Sequence, residues 1–90
     1  MLATEDAKAK VWITKYALTM GVFSVDAKIS NSMVYWRDVG SGHNSYAHGE
    51  GRDWHRTESA ALKRAEDMRK RKIESLRRSI KKFEKMTFTT

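Results

Sequence analysis

The side chains best suited to chemistry in this sequence of 90 residues lie close together: His43, His48, Glu50, Asp53 and His55. Imidazoles and carboxylates of this kind bind divalent metals or move protons. Their spacing supports neither. Zinc sites legible in a sequence set two histidines one helical turn apart or on a fixed turn, whereas these histidines are five and seven residues apart. They also sit in a stretch holding four of the five glycines, where no geometry is imposed. No cysteine is present, which removes thiolate nucleophiles, disulfides and sulfur-ligated zinc. There is no nucleophile elbow, phosphate-binding glycine loop or dinucleotide fingerprint. The chain therefore reads as a non-enzymatic protein without metal or cofactor, and His55, beside Trp54, as a packed or capping residue at the entrance of the last helix.

The second kind of chemistry is ionic. Eighteen Lys and Arg against eleven Asp and Glu give a formal charge of +7, unevenly spread. Residues 1–56 hold seven basic and six acidic side chains, and residues 57–90 hold eleven and five. A neutral half and a cationic half point to an anionic partner: nucleic acid, an acidic protein surface or a membrane surface. The candidate binding residues are Lys63, Arg64, Lys70, Arg71, Arg77, Arg78, Lys81, Lys82 and Lys85. Trp12 and Tyr16 join them as aromatics sharing one face of a first strand, able to stack on bases.

These residues need a frame. Residues 11–19 are rich in β-branched and aromatic side chains and predict a strand. Met20 and Gly21 end it. In residues 22–29, Phe23, Val25, Ala27 and Ile29 alternate with Val22, Ser24, Asp26 and Lys28, the period of a half-buried strand. Ser30, Asn31 and Ser32 supply a turn, and residues 33–39 a third strand with Val34 and Trp36 opposite Tyr35 and Arg37. Residues 46–48 are a candidate fourth strand within a Gly- and His-rich loop, and Trp54 returns the chain to the core. Thr57 is a suitable N-cap, Glu58 suits the positive end of the helix dipole, and a helix runs to about residue 86. Glu66 with Lys70, Asp67 with Arg71 and Glu74 with Arg78 stand at i, i+4. Ala61, Leu62, Ala65, Met68, Ile73, Leu76, Ile80, Phe83 and Met86 fall on one side, opposite the cations, with Arg69 and Lys72 at the margin of the apolar stripe.

The expected fold is α+β in a single domain of residues 1–90: a flexible stretch 1–10, a β-meander 11–39, the loop 40–56, and a long amphipathic basic helix 57–86. The sheet is a three- or four-stranded antiparallel meander with the helix packed on one face through Ala61, Ala65 and Met68. A helix of about 29 residues is roughly 43 Å long, against about 27 Å for a strand of eight. It overhangs the sheet, and Leu76, Ile80 and Phe83 are left to form a homodimer or to meet a partner. No apolar run approaches the ~18 residues of a membrane span, and Glu5, Asp6, Lys8 and Lys10 do not make a signal peptide. The expectation is a cytoplasmic protein without a membrane partner.

Two segments carry a resemblance: Trp12, Ile13, Thr14, Lys15, Tyr16, Ala17, Leu18, Thr19 and Gly21; and Gly49, Glu50, Gly51, Arg52, Asp53, Trp54, His55, Arg56 and Thr57, running into the basic helix. The wording and order of elements resemble small accessory proteins encoded by phages and prophages, among them anti-CRISPR-type inhibitors. That likeness implies a binding protein that blocks a host defence nucleoprotein complex, and assigns no residue roles. Many such inhibitors are acidic mimics of DNA; this chain is basic, so its contact would be an acidic protein surface or the guide RNA. Direct binding of nucleic acid by a phage-derived module is the rival expectation.

Overall fold

The computed structural model describes residues 8–38 and 40–89. Along the chain these form β1 (Lys8–Ile13), α1 (Ala17–Met20), β2 (Phe23–Ser30), β3 (Met33–Arg37), β4 (Asn44–His48), β5 (Trp54–His55) and α2 (Glu58–Glu84). The strands make one antiparallel sheet in the order β4-β3-β2-β1-β5, followed by the long helix, an α+β arrangement.

The β2–β3 hairpin turns on Asn31 and Ser32, whose φ values of 50° and 67° are both positive, as a two-residue turn matching the sheet twist requires. The connection from β4 to β5 sets the shape of the whole sheet. These are its opposite edges, about 19 Å apart if the sheet were flat. Residues 49–53 join them, yet they are coiled on themselves, with Arg52 and Asp53 N–H groups donating to the Gly49 carbonyl at 3.1 and 3.0 Å. Such a connector cannot reach across a flat sheet, so the sheet curls until its edges approach. Two hydrogen bonds hold it there: the Ser32 carbonyl accepts from the Gly49 N–H at 2.9 Å and from the Trp54 indole Nε1–H at 2.8 Å.

Curling lets the sheet enclose its own core. Strand alternation sends Val11, Ile13, Ala27, Val34, Ala47 and Trp54 inward, all fully buried, with Phe23, Val25, Ile29 and Trp36 packed against them. Phe23 meets Trp36 edge to face at 6.3 Å between ring centres. The core is thus mostly strand-made, and the helix is not its lid. α2 is capped by Thr57, whose hydroxyl accepts from the Ala60 N–H at 3.2 Å. Its first turns dock against α1, β1 and β5, where Ala61 is buried and Ala65 and Met68 are half-buried. Every residue from 74 to 89 is exposed, and the molecule measures 72 Å along its long axis.

Several expectations are corrected. The first strand spans Lys8–Ile13 rather than 11–19, so Lys8, Ala9 and Lys10 are sheet residues, not a flexible tail; residues 1–7 lie outside the described residues. It stops because the Thr14 and Lys15 N–H groups both donate to the Asp53 carbonyl, at 2.8 and 3.2 Å, which turns the chain out of the ladder. One helical turn, α1, follows and ends at Gly21 with φ 82°. The third strand ends at Arg37, and residue 39 lies outside the described residues. The loop 40–56 contains β4 and β5, bringing the strands to five. The helix ends at Glu84, with Lys85 as its cap. Glu66 pairs with Arg69 at 2.7 Å rather than with Lys70, while Asp67–Arg71 and Glu74–Arg78 form at 3.1 and 3.8 Å.

Ser32→Gly relieves a side chain held at positive φ and is expected to raise stability by about 0.5–1 kcal/mol. Trp54→Phe removes the indole donor at the closure and is expected to cost about 1–2 kcal/mol. Urea denaturation measures both. An unchanged midpoint for Trp54→Phe would show that closure does not depend on the indole hydrogen bond.

Candidate nucleic-acid interface

With the apolar side chains turned inward, the opposite alternation places cations and aromatics together on the outer face. Register aligns one row across four strands: Lys8 on β1, Lys28 on β2, Tyr35 on β3 and Tyr46 on β4. Beside it run Lys10 opposite Asp26, and Trp12 opposite both Ser24 and His55. Tyr35 and Tyr46 are 44% and 48% exposed, large rings left in water on a sheet that has already filled its core.

Pairing of β2 with β3 covers only Lys28–Ser30 against Met33–Tyr35. Beyond that the two strands diverge and leave a basin of about 380 Å³ lined by Lys8, Asp26, Lys28, Tyr35, Trp36, Arg37 and Asn44. A neighbouring depression of about 470 Å³ shares Lys8, Asp26, Trp36 and Arg37 and adds Lys10. The basin wall thus has three cations to one carboxylate, with aromatic surface between them. This composition suits a phosphate beside a base.

Lys15 extends the same chemistry around the edge. Its Nζ donates to the Tyr46 carbonyl at 3.0 Å and lies 4.6 Å from the Tyr46 ring centre and 5.4 Å from that of Tyr16. An ammonium between two rings is a cation–π clamp, and it also covers part of the exposed edge of β4. Lys10 sits 5.5 Å from the Trp12 ring in the same manner. Tyr46 and His48 meet edge to face at 5.3 Å.

The sequence-expected residues are distributed over more than one surface. Trp12 is half-buried on the outer face, but Tyr16 is not its strand neighbour, because the strand has already ended; Tyr16 begins α1. There it lines an apolar cleft of about 490 Å³ with Met20, Phe23, Val25 and Trp36. On α2, Lys63, Lys70, Arg71, Arg77, Arg78, Lys81, Lys82 and Lys85 are exposed and fall within an arc of about 140° at 100° per residue. Arg64 departs from that surface: it is half-buried, reaching the Arg52 carbonyl at 3.4 Å and Asp67 at 3.7 Å. Arg69 donates two hydrogen bonds to Glu66, holding that carboxyl below the usual range. Lys8, Lys10, Lys15, Lys28, Tyr35, Arg37 and Tyr46 were not among the expected site residues. For all but Lys15, which lies past the end of β1, the signal was the polar half of the same alternation that revealed the core.

Among the described residues, no three of His, Asp and Glu gather as a metal site would require. His55 is only 4% exposed and packed rather than capping. The Thr14 hydroxyl donates to the Arg52 carbonyl at 2.7 Å, so its oxygen accepts from His55 Nε2 at 3.0 Å, which fixes the neutral tautomer with its proton on Nε2. Burial, and then the charge of Arg64, hold the His55 pKa below its ordinary 6.5, against the weaker opposing pull of Glu50 and Asp53.

Compared with protein-family models, with curated proteins and with solved structures, the chain matches none.

The His55 shift has a pH consequence. Its folded pKa lies below the unfolded value, so the unfolded chain binds more protons as pH falls through about 6.5. Stability is therefore full above that pH, declines below it and levels off beneath the folded pKa. Urea midpoints between about pH 7.5 and about pH 5 should fall with acidification, and His55→Gln should flatten the part of the slope near pH 6. At neutral pH, Thr14→Val leaves the buried His55 Nε2–H without its acceptor and should cost about 1–3 kcal/mol.

Proposed function

We propose that this protein is a non-enzymatic module that binds single-stranded nucleic acid on its outer sheet face, with the cations of α2 adding phosphate contacts. The observation that carries the reading is the basin of Lys8, Lys28 and Arg37 beside the exposed ring of Tyr35, which is in register with the exposed ring of Tyr46. Bases stack on exposed rings and phosphates sit on neighbouring cations without sequence-specific hydrogen bonding. A double helix needs neither ring; a flexible strand can use both. The net charge of +7 supports the same reading through long-range attraction of a polyanion.

The likeness of the Trp12–Gly21 and Gly49–Thr57 segments to mobile-element inhibitors extends this proposal to a biological setting. A protein that blocks a host defence complex by holding its guide RNA would use the same rings and cations. In that setting its anionic target is the RNA component rather than an acidic protein.

Fluorescence anisotropy with labelled single-stranded RNA and DNA of about 12 nucleotides tests the reading. Binding should weaken steeply with salt, the logarithm of affinity falling by about 0.7 for each phosphate contact per decade. Tyr35→Ala should cost about 1–3 kcal/mol of affinity and leave the salt slope unchanged, as lost stacking does. Arg77, Arg78, Lys81 and Lys82 all changed to Glu should lower affinity and flatten the slope. No binding at low salt would overturn the proposal. Capture of a nucleoprotein complex that survives nuclease treatment would transfer the target to a protein surface.

A further inference from the structure

We infer that two copies of the chain pair antiparallel through the free half of α2. The inference is independent of nucleic-acid binding and rests on the apolar residues that the fold leaves uncovered. Leu62, Leu76, Ile80 and Phe83 are 51%, 49%, 55% and 65% exposed, and Ile73 is half-buried. At 100° per residue, the helix docks on its own sheet through the side bearing Ala61, Ala65 and Met68. The exposed stripe lies about a quarter turn away. Leu62 belongs to that stripe and stays exposed even where the helix is docked, so the stripe is a second face and not merely an overhang of the first.

From Ile73 onward the apolar spacing is three, four, three: Ile73, Leu76, Ile80, Phe83. This is the alternation of a and d positions in a two-stranded coiled coil, with Ile at a and Leu or Phe at d. The flanking charges choose the direction. A parallel pair sets Lys72 of one helix beside Arg77 of the other, like charges in both symmetric contacts. An antiparallel pair centred near residue 78 stacks Ile73 on the partner's Phe83 and Leu76 on the partner's Ile80, each twice. It also places Lys70 beside the partner's Glu84 at both ends, with Arg77 the one like-charge contact. Among the described residues, neither Lys70 nor Glu84 forms an ion pair within its own chain, so both are available. The seam is therefore complementary to itself, which is the reason to assign it to a second copy rather than to another protein.

The shape fits as well. Antiparallel overlap of residues 70–86 spans about 24 Å and leaves each sheet domain beyond the end of the other helix, where the two do not collide. Arg71, Arg78, Lys81, Lys82 and Lys85 remain on the outer flank. Four apolar layers are a small interface, so the pairing depends on concentration.

Sedimentation equilibrium of the intact chain from about 1 µM to about 0.5 mM should show a monomer–dimer equilibrium. Scattering at high concentration should give a maximum dimension of roughly 120 Å, against 72 Å for one chain. Ile80→Glu, at an exposed position, should leave the circular dichroism of the sheet and its thermal unfolding in place and yield a monomer throughout. Lys70→Glu should weaken dimerisation about tenfold, and adding Glu84→Lys should restore it, since only the antiparallel register brings those two positions together. A chain that stays monomeric at every concentration overturns the inference, as does a dimer indifferent to Ile80→Glu. A dimer that Glu84→Lys does not rescue overturns the assigned register.

Discussion

The fold depends on one carbonyl oxygen. Ser32 lies in a turn that forces its φ positive, and from there its carbonyl accepts hydrogen bonds from both sides of the connector between the sheet edges: the Gly49 N–H and the Trp54 indole. A five-stranded sheet whose edge strands are joined by five coiled residues has no flat solution. The strain at Ser32 and the placement of Trp54 are two parts of the curled one. Once the edges meet, Thr14 falls beside Arg52 and His55, and the buried histidine acquires the partner that fixes its tautomer. The turn, the indole and the imidazole thus answer the same geometric requirement.

A sheet that closes on itself frees what a flat sheet would have employed. Val11, Ile13, Val34 and Trp54 fill the interior from the strands, so α2 is needed only at its first turns. The rest of the helix projects into water with its apolar stripe uncovered, held as a helix by Asp67–Arg71 and Glu74–Arg78 and by good intrinsic helix formers. Curling has the same effect on the outer face. Because the inward alternation satisfies the core, Tyr35 and Tyr46 are left exposed on the outer face.

The α+β class, the hairpin at Asn31 and Ser32, the Thr57 cap and the return of Trp54 to the core were legible because each rests on local chemistry. Alternation identified β2, and uninterrupted helical periodicity identified α2. What was not legible required knowing which strands are neighbours. Residues 14–19 have strand composition, but the Asp53 carbonyl, 38 residues from Lys15, captures two consecutive N–H groups and turns the chain away. Trp54 and His55 form a strand of two residues only because β1 offers an edge. Lys8, Lys28, Tyr35 and Tyr46 come from four separate segments, and only register assembles them. For the same reason Trp12 and Tyr16, neighbours on an imagined longer strand, end on different surfaces.

The cations of this chain divide into two populations with different physics. Those of α2 stand on a rod; Arg64, Arg69, Arg71 and Arg78 each share their charge with a carboxylate about one turn away, and the lysines and Arg77 are exposed, where salt screens them efficiently. Two of those in the sheet half are set against rings: Lys10 on Trp12, and Lys15 between Tyr16 and Tyr46. An ammonium resting on an aromatic face loses less freedom on meeting a phosphate, because its side chain is already ordered, and the ring beside it offers a second contact to the attached base. If the proposed binding holds, the helix would supply attraction at a distance and the sheet would supply contact. On the proposed reading, the net charge concentrated in the C-terminal half would guide the approach of a polyanion rather than form its seat. The residues that would hold it, Lys8, Lys10, Lys15, Lys28 and Arg37, are drawn from the half of the sequence whose net charge is nearly neutral.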